Sequence, residues 1–146
     1  MEDDPGPDLV VESDPDPGHA RFLEDRLYEY NLRATGIADN ELLAVSLRGP
    51  EGEVVGGAYG WTWGGTCHVR YLFVPAGMRN RGHGTRMMRA IEREAAARGC
   101  GQVMLETHDF QAPAFYRKLG FMVVGAVADY PRGHRHLTML KSLVEP

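Results

Sequence analysis

The stretch VPAGMRNRGHGTRMM, residues 74–88, decides how the rest of the chain is read. It follows the β-rich run CHVRYLFV (67–74), and Pro75 ends that strand. From His83 to Arg98 the apolar residues Met87, Met88, Ile91 and Ala95 fall on one helical face, with Arg86, Arg89, Glu92 and Arg93 on the remainder. Gly99 then stands where a helix cap is expected, and QVMLET (102–107) reads as a short buried strand. Strand, glycine-bearing turn, helix and strand make one βαβ unit, which requires a parallel strand pair.

The segments around this unit read as antiparallel. ELLAVSLR (41–48) and EVVGGAYGWTW (53–63) are β-rich and separated by GPEG, a turn composition. GGT then leads back into CHVRYLFV, giving three consecutive antiparallel strands. Beyond the βαβ unit, HDFQAP is a loop and APAFYRKLG a short helix stopped at Gly120. FMVVGAVA and HRHLTMLKSL are two closing strands joined by DYPRG. Upstream, LVVES (9–13) is a strand candidate closed by DPDPGH. His19 to Ala34 is a helix candidate, with Phe22, Leu27, Tyr30 and Leu32 among charges and Gly36 as its stop. The predicted class is α/β of the α+β type: a mixed, mostly antiparallel twisted sheet with helices on its faces.

A chain of 146 residues is expected to fold as one domain. The seven acids Glu2, Asp3, Asp4, Asp8, Glu12, Asp14 and Asp16 face no Lys or Arg within residues 1–18. Residues 1–8 are therefore expected to be a disordered acidic tail, with residues 9–146 forming the domain. The rest of the chain carries 16 basic and 13 acidic side chains. That mild excess suits a small anionic ligand and argues against bulk nucleic-acid binding. No apolar run is long enough to span a bilayer, and the acidic, proline-rich start does not resemble a secretory or mitochondrial leader. No membrane partner and a cytoplasmic location are the expectations. Cys67 and Cys100 lack CxxC spacing and are expected to be reduced, partly buried thiols. No His/Asp/Glu cluster has ligand spacing, so no metal is expected. No G-x-S-x-G elbow exists.

RNRGHGT (79–85) itself is an anion loop in composition. Gly82 and Gly84 let backbone approach a ligand, the following helix offers unpaired N–H groups, and Arg79 and Arg81 add charge. It lacks the lysine and spacing of a P-loop, and Met87 stands where a dinucleotide fingerprint needs its third glycine.

Arg79, Gly82 and Gly84 match the Q/R-x-x-G-x-G/A motif, and this block resembles the acetyl-CoA-binding segment of the GNAT superfamily of N-acetyltransferases. FQAPAFYRKLGF (110–121) is similar to that superfamily's second signature, an aromatic pair followed by xKLGF. The resemblance covers roughly residues 9–144. It implies the GNAT fold, with a central parallel pair that splays apart, and a single acetyltransferase domain over residues 9–146.

It also implies acetyl-CoA as co-substrate. Leu72, Phe73 and Val74 would hold the pantetheine arm and acetyl carbonyl. The pyrophosphate would rest on Arg79, Asn80, Arg81, Gly82, His83, Gly84 and Thr85, with Gln111, Ala112, Phe115 and Tyr116 completing the cofactor side. His83 would act as a backbone donor. The reaction would be direct attack of a neutral amine on the thioester, which needs a base and a proton donor for the thiolate. Tyr116 matches the family's thiolate-protonating tyrosine.

The base is open. DYPRGHRHLTMLK (129–141) resembles the corresponding end of glyphosate N-acetyltransferases, which makes His136 a candidate; Glu106, His108, His134, His68 and a relayed water are the others. The acceptor side would draw on Tyr30, Asn31, Asp109, Phe110, Tyr130 and His134, with Tyr28, Trp61 and Trp63 as further linings. The implied acceptor is the primary amine of a small molecule such as an amino acid, an antibiotic or a xenobiotic. A protein or peptide amine and a non-catalytic acyl-CoA-binding module are the alternatives, and a homodimer is compatible with the family.

Overall fold

The computed structural model describes residue 4 and residues 6–144, so the predicted acidic tail, residues 1–8, lies partly outside the described residues. Two units make up the chain, Met1–Gly36 and Ile37–Pro146. In the first, α1 spans Gly18–Thr35. Asp16 Oδ1 accepts from the Gly18 N–H at 2.8 Å at its start, and Gly36, at φ 72°, closes it by donating to Leu32 O. The expected strand at LVVES is absent: residues 9–12 are irregular, and 13 lies in a bend. β propensity forms a strand only where a neighbour supplies a ladder, and all six strands of the sheet come from the second unit.

The second unit contains β1 (Glu41–Arg48), β2 (Val54–Trp63), β3 (Thr66–Phe73), a 3-10 turn (Ala76–Met78), α2 (His83–Ala97), β4 (Gln102–His108), α3 (Pro113–Lys118), β5 (Met122–Ala128) and β6 (Arg135–Ser142). The sheet order is β1-β2-β3-β4-β6-β5. β3 and β4 are parallel, and the other neighbouring pairs are antiparallel. The expected mixed sheet with one parallel pair is therefore the one observed.

Period-2 alternation sets the core. Cys67 and Val69 of β3, Val103 and Leu105 of β4, and Leu137 and Met139 of β6 are buried in one cluster with Met88, Ile91 and Ala95 of α2. Each such side chain contributes about 1.5–3 kcal/mol by leaving water. Glu92 is the polar member of α2's buried face, and Arg89 at 3.0 Å and Lys141 of β6 neutralise it. Beyond the end of α2, Arg98 donates to Leu42 O at 3.0 Å and to the buried Thr62 hydroxyl at 3.1 Å, fastening the helix end to β1 and β2. Both cysteines are buried and free. Burial, then the neighbouring Cys100, pushes the Cys67 thiol up to about 11.

Candidate active site

The parallel ladder between β3 and β4 runs only from Thr66↔Gln102 to Val69↔Leu105. The cause of its end lies on β3's other edge. Tyr59 pairs with Tyr71 but Gly60 with Val69, so Arg70 is an extra residue, a bulge that bends β3 away from β4. Gly60 permits the bulge, because a Cβ there would lie 2.0 Å from the His68 carbonyl oxygen. Past this point the facing edges of the two strands lack each other as partners, and such groups need another.

The gap opens into a cleft of about 910 Å³. Its walls are residues 70–74 at the end of β3, the turn into α2, and residues 106–107, 110–112 and 115–116. Of the residues expected to bind cofactor, all line the cleft except Arg81. Glu106 and Phe110 line it too. Arg70, Tyr71, Met78 and Thr107 are linings that sequence reasoning missed. Alternation hid the strand residues among them: a parted strand edge presents consecutive residues through its backbone, where a strand with two neighbours shows only every second side chain.

The turn has the backbone geometry of an anion site. Gly82, the N-cap of α2, has φ 78°, a region that L side chains rarely adopt, and Asn80 also has positive φ. The backbone of His83, Gly84 and Thr85 forms the first helical turn, whose N–H groups have no intrahelical acceptor. Gly84 serves packing: a Cβ would stand 3.0 Å from the Phe115 ring, so its absence lets α3 close against α2. Arg79 is exposed, its Nε donating to Val74 O at 3.0 Å and tying the turn to the strand end. His83 Nδ1 is buried without a hydrogen-bond partner among the described residues.

Two side chains capable of proton transfer, Tyr116 and Glu106, line the gap. Tyr116 is 7% exposed, and burial raises its phenol above the usual range, so it keeps its proton at neutral pH. Glu106 accepts from His68 Nε2 at 2.9 Å. Further along β4, Gln111 Oε1 accepts the His108 N–H at 2.7 Å and fixes the turn toward α3.

His136 lies opposite His108 in the β4–β6 register, with ring centroids 5.0 Å apart, and Tyr130 packs on both. Neither His108, His136 nor Tyr130 lines the cleft. Asp109 and His134 also stand outside its lining, paired at 3.0 Å, and Phe110 joins them to it with its ring 4.9 Å from that of His134. Desolvation pushes the Asp109 carboxyl up, but donors from the Arg135 N–H and His134 outweigh it and hold the carboxyl below its usual value. Tyr30 and Asn31 lie on α1 in the first unit, where Asn31 O accepts from Thr35 Oγ1. Trp63 donates from Nε1 to Ile37 O at 3.0 Å, and Trp61 packs on His68.

A parted parallel pair facing an anion turn is the arrangement that the two sequence motifs imply. Residues 8–121 match the model of the Acetyltransferase (GNAT) family. The chain belongs to that family. This acetyltransferase is 37% identical over 107 residues to the blasticidin-S acetyltransferase of Streptomyces morookaense, covering 70% of this chain and 76% of that one. It is 32% identical over 113 residues to an acetyltransferase of Agrobacterium fabrum, covering 77% and 82%. A crystallised Agrobacterium tumefaciens protein superposes with a TM-score of 0.85 at 29% identity, covering 92% of this chain and 98% of its own. Among the described residues no helix is long and apolar enough to cross a membrane, and no group of three or more His, Cys, Asp or Glu side chains could hold a metal ion.

Proposed function

We propose that this acetyltransferase uses acetyl-CoA to acetylate the primary amine of a small molecule. The observation that carries the reading is one cleft bounded by both the parted β3–β4 edges and the first turn of α2. The chain fits the donor. Amides at His83–Thr85 without an intrahelical acceptor and the positive φ of Gly82 suit a pyrophosphate, with Arg81 nearby in sequence. The free edge at Leu72–Val74 suits an amide-bearing arm. When bound, acetyl-CoA supplies an activated thioester.

The chain's own groups move the protons. Glu106, inside the cleft, takes the proton of the substrate ammonium directly or through water. Tyr116 returns one to the departing sulfur. Glu106 is preferred to His136 as the base because it lines the cleft, whereas His136 is packed against His108 and Tyr130.

Blasticidin S is the first acceptor to try, since a relative that this chain covers to 76% is named for it. The test measures free CoA on mixing protein and acetyl-CoA with blasticidin S, aminoglycosides, amino acids, polyamines and small xenobiotic amines. Saturable release that depends on one of these amines is the expected result. Acetyl-CoA binding without release for any of them identifies an acyl-CoA-binding module instead.

A further inference from the structure

The parallel ladder ends at Val69↔Leu105, so Glu106 is the first β4 residue with no β3 backbone beside it. Its own backbone is held on the other side only, by Thr138 of β6. Across the opening, the β3 residue that reaches Glu106 is His68, two positions before the bulge at Arg70. His68 is in register with Met104, which puts it on the same sheet face as Glu106. The Nε2···Oε2 distance is 2.9 Å, and the two side chains are only 19% and 22% exposed. Behind the imidazole, Trp61 of β2 stands opposite His68 in register and meets its ring edge-on at 4.8 Å. The ring is therefore held on one side by an indole and on the other by a carboxylate.

We infer that His68 is a positioning residue for the reaction. It clamps Glu106 Oε2 across the mouth of the parted strands and leaves Oε1 as the oxygen available to the substrate amine. A carboxylate only accepts, so Nε2 carries the proton of this bond. His68 does not line the cleft; it acts through Glu106. Without it the glutamate side chain is free to leave the single rotamer that aims at the amine. A loosely held reacting group costs turnover without weakening donor binding.

The inference rests on Glu106 as the base, and the variants separate the two ideas. Acetyl transfer is followed with acetyl-CoA and blasticidin S, or the best amine of the panel, for His68→Ala, His68→Gln, Glu106→Gln and the double variant His68→Ala/Glu106→Gln. His68→Ala is expected to lower kcat about ten- to hundredfold, with the KM for acetyl-CoA unchanged. His68→Gln, whose amide donates from the same region, recovers most of the loss. The double variant is no slower than Glu106→Gln alone.

Wild-type turnover in His68→Ala, or an equal loss in His68→Gln, overturns the inference while leaving Glu106 as base. Wild-type turnover in Glu106→Gln overturns both. A measurement independent of turnover uses histidine-labelled protein and long-range proton–nitrogen spectra, with His68 identified by its missing signal in His68→Gln. The Nε2–H tautomer is expected, and an Nδ1–H tautomer overturns the inference whatever the kinetics show.

Discussion

Tyr116 combines three properties that a proton donor needs: it lines the cleft, it is buried, and its phenol is raised by that burial. A raised value keeps the neutral, proton-bearing form through the physiological range and past the ordinary tyrosine value. Any alkaline loss of kcat that belongs to Tyr116 is therefore centred above that ordinary value. A pH profile of kcat checks this, and a fall already complete near neutrality contradicts it. Tyr116→Phe removes the proton and keeps the ring contacts with Phe115 and Phe121. It is expected to lose about a hundredfold in kcat with unchanged acetyl-CoA affinity by calorimetry. Tyr116 was legible in the sequence because it sits inside a recognisable block, FYRKLGF. The His68–Glu106 bond was not: the residues are 38 apart, and only the β3–β4 register brings them together. The sequence offers each separately as a base candidate. Nothing in their spacing marks them as partners.

Among elements, the α2 turn and the β3 bulge carry the site. At the turn, Gly82 holds a left-handed conformation with open space where its Cβ would be. Gly82→Asp therefore strains the backbone and puts a negative charge among the amides proposed to hold the pyrophosphate. Loss of calorimetric acetyl-CoA binding in a variant that still folds is the expected outcome, and retained affinity removes the pyrophosphate assignment. At the bulge, Gly60→Ala drives a methyl group into the His68 carbonyl. Overpacking of this kind costs about 1–3 kcal/mol, read as a lower denaturation midpoint, and activity should fall further than stability because the parting of β3 from β4 is set there. Motif and glycine-arginine chemistry announced the turn. The bulge was hidden, since EVVGGAYGWTW carries three glycines and nothing in their order says which one meets a neighbouring backbone. LVVES failed for the complementary reason: its residues favour a strand, but strand formation depends on a neighbour that local sequence does not reveal.

Across the whole sheet-bearing unit, α2 is tied down at both its middle and its end. Glu92 is buried and held by Lys141 from β6 and by Arg89, while Arg98 reaches β1 and β2. Lys141→Met leaves a largely buried carboxylate with only Arg89, a loss of about 3 kcal/mol, measurable by chemical denaturation. A change below about 0.5 kcal/mol means the pair is solvated. The order of elements from residue 41 onward was legible because hydrophobic period, turn composition and two motifs agree there. What lines the acceptor end was less so: the cleft takes Phe110 and Glu106, while His134, His136 and Tyr130 pack into a neighbouring ring cluster. Cys67 and Cys100 are buried, with both thiols pushed up by burial, so the native protein contributes little background to a thiol assay near neutral pH. That makes CoA release the most direct measurement. Acetyl-CoA and wild-type protein should yield free CoA at a rate that rises and saturates with an amine acceptor, with the acetylated amine found by mass and the release abolished in Gly82→Asp. Wild-type protein that binds acetyl-CoA yet releases no CoA with any amine of the panel would contradict the account.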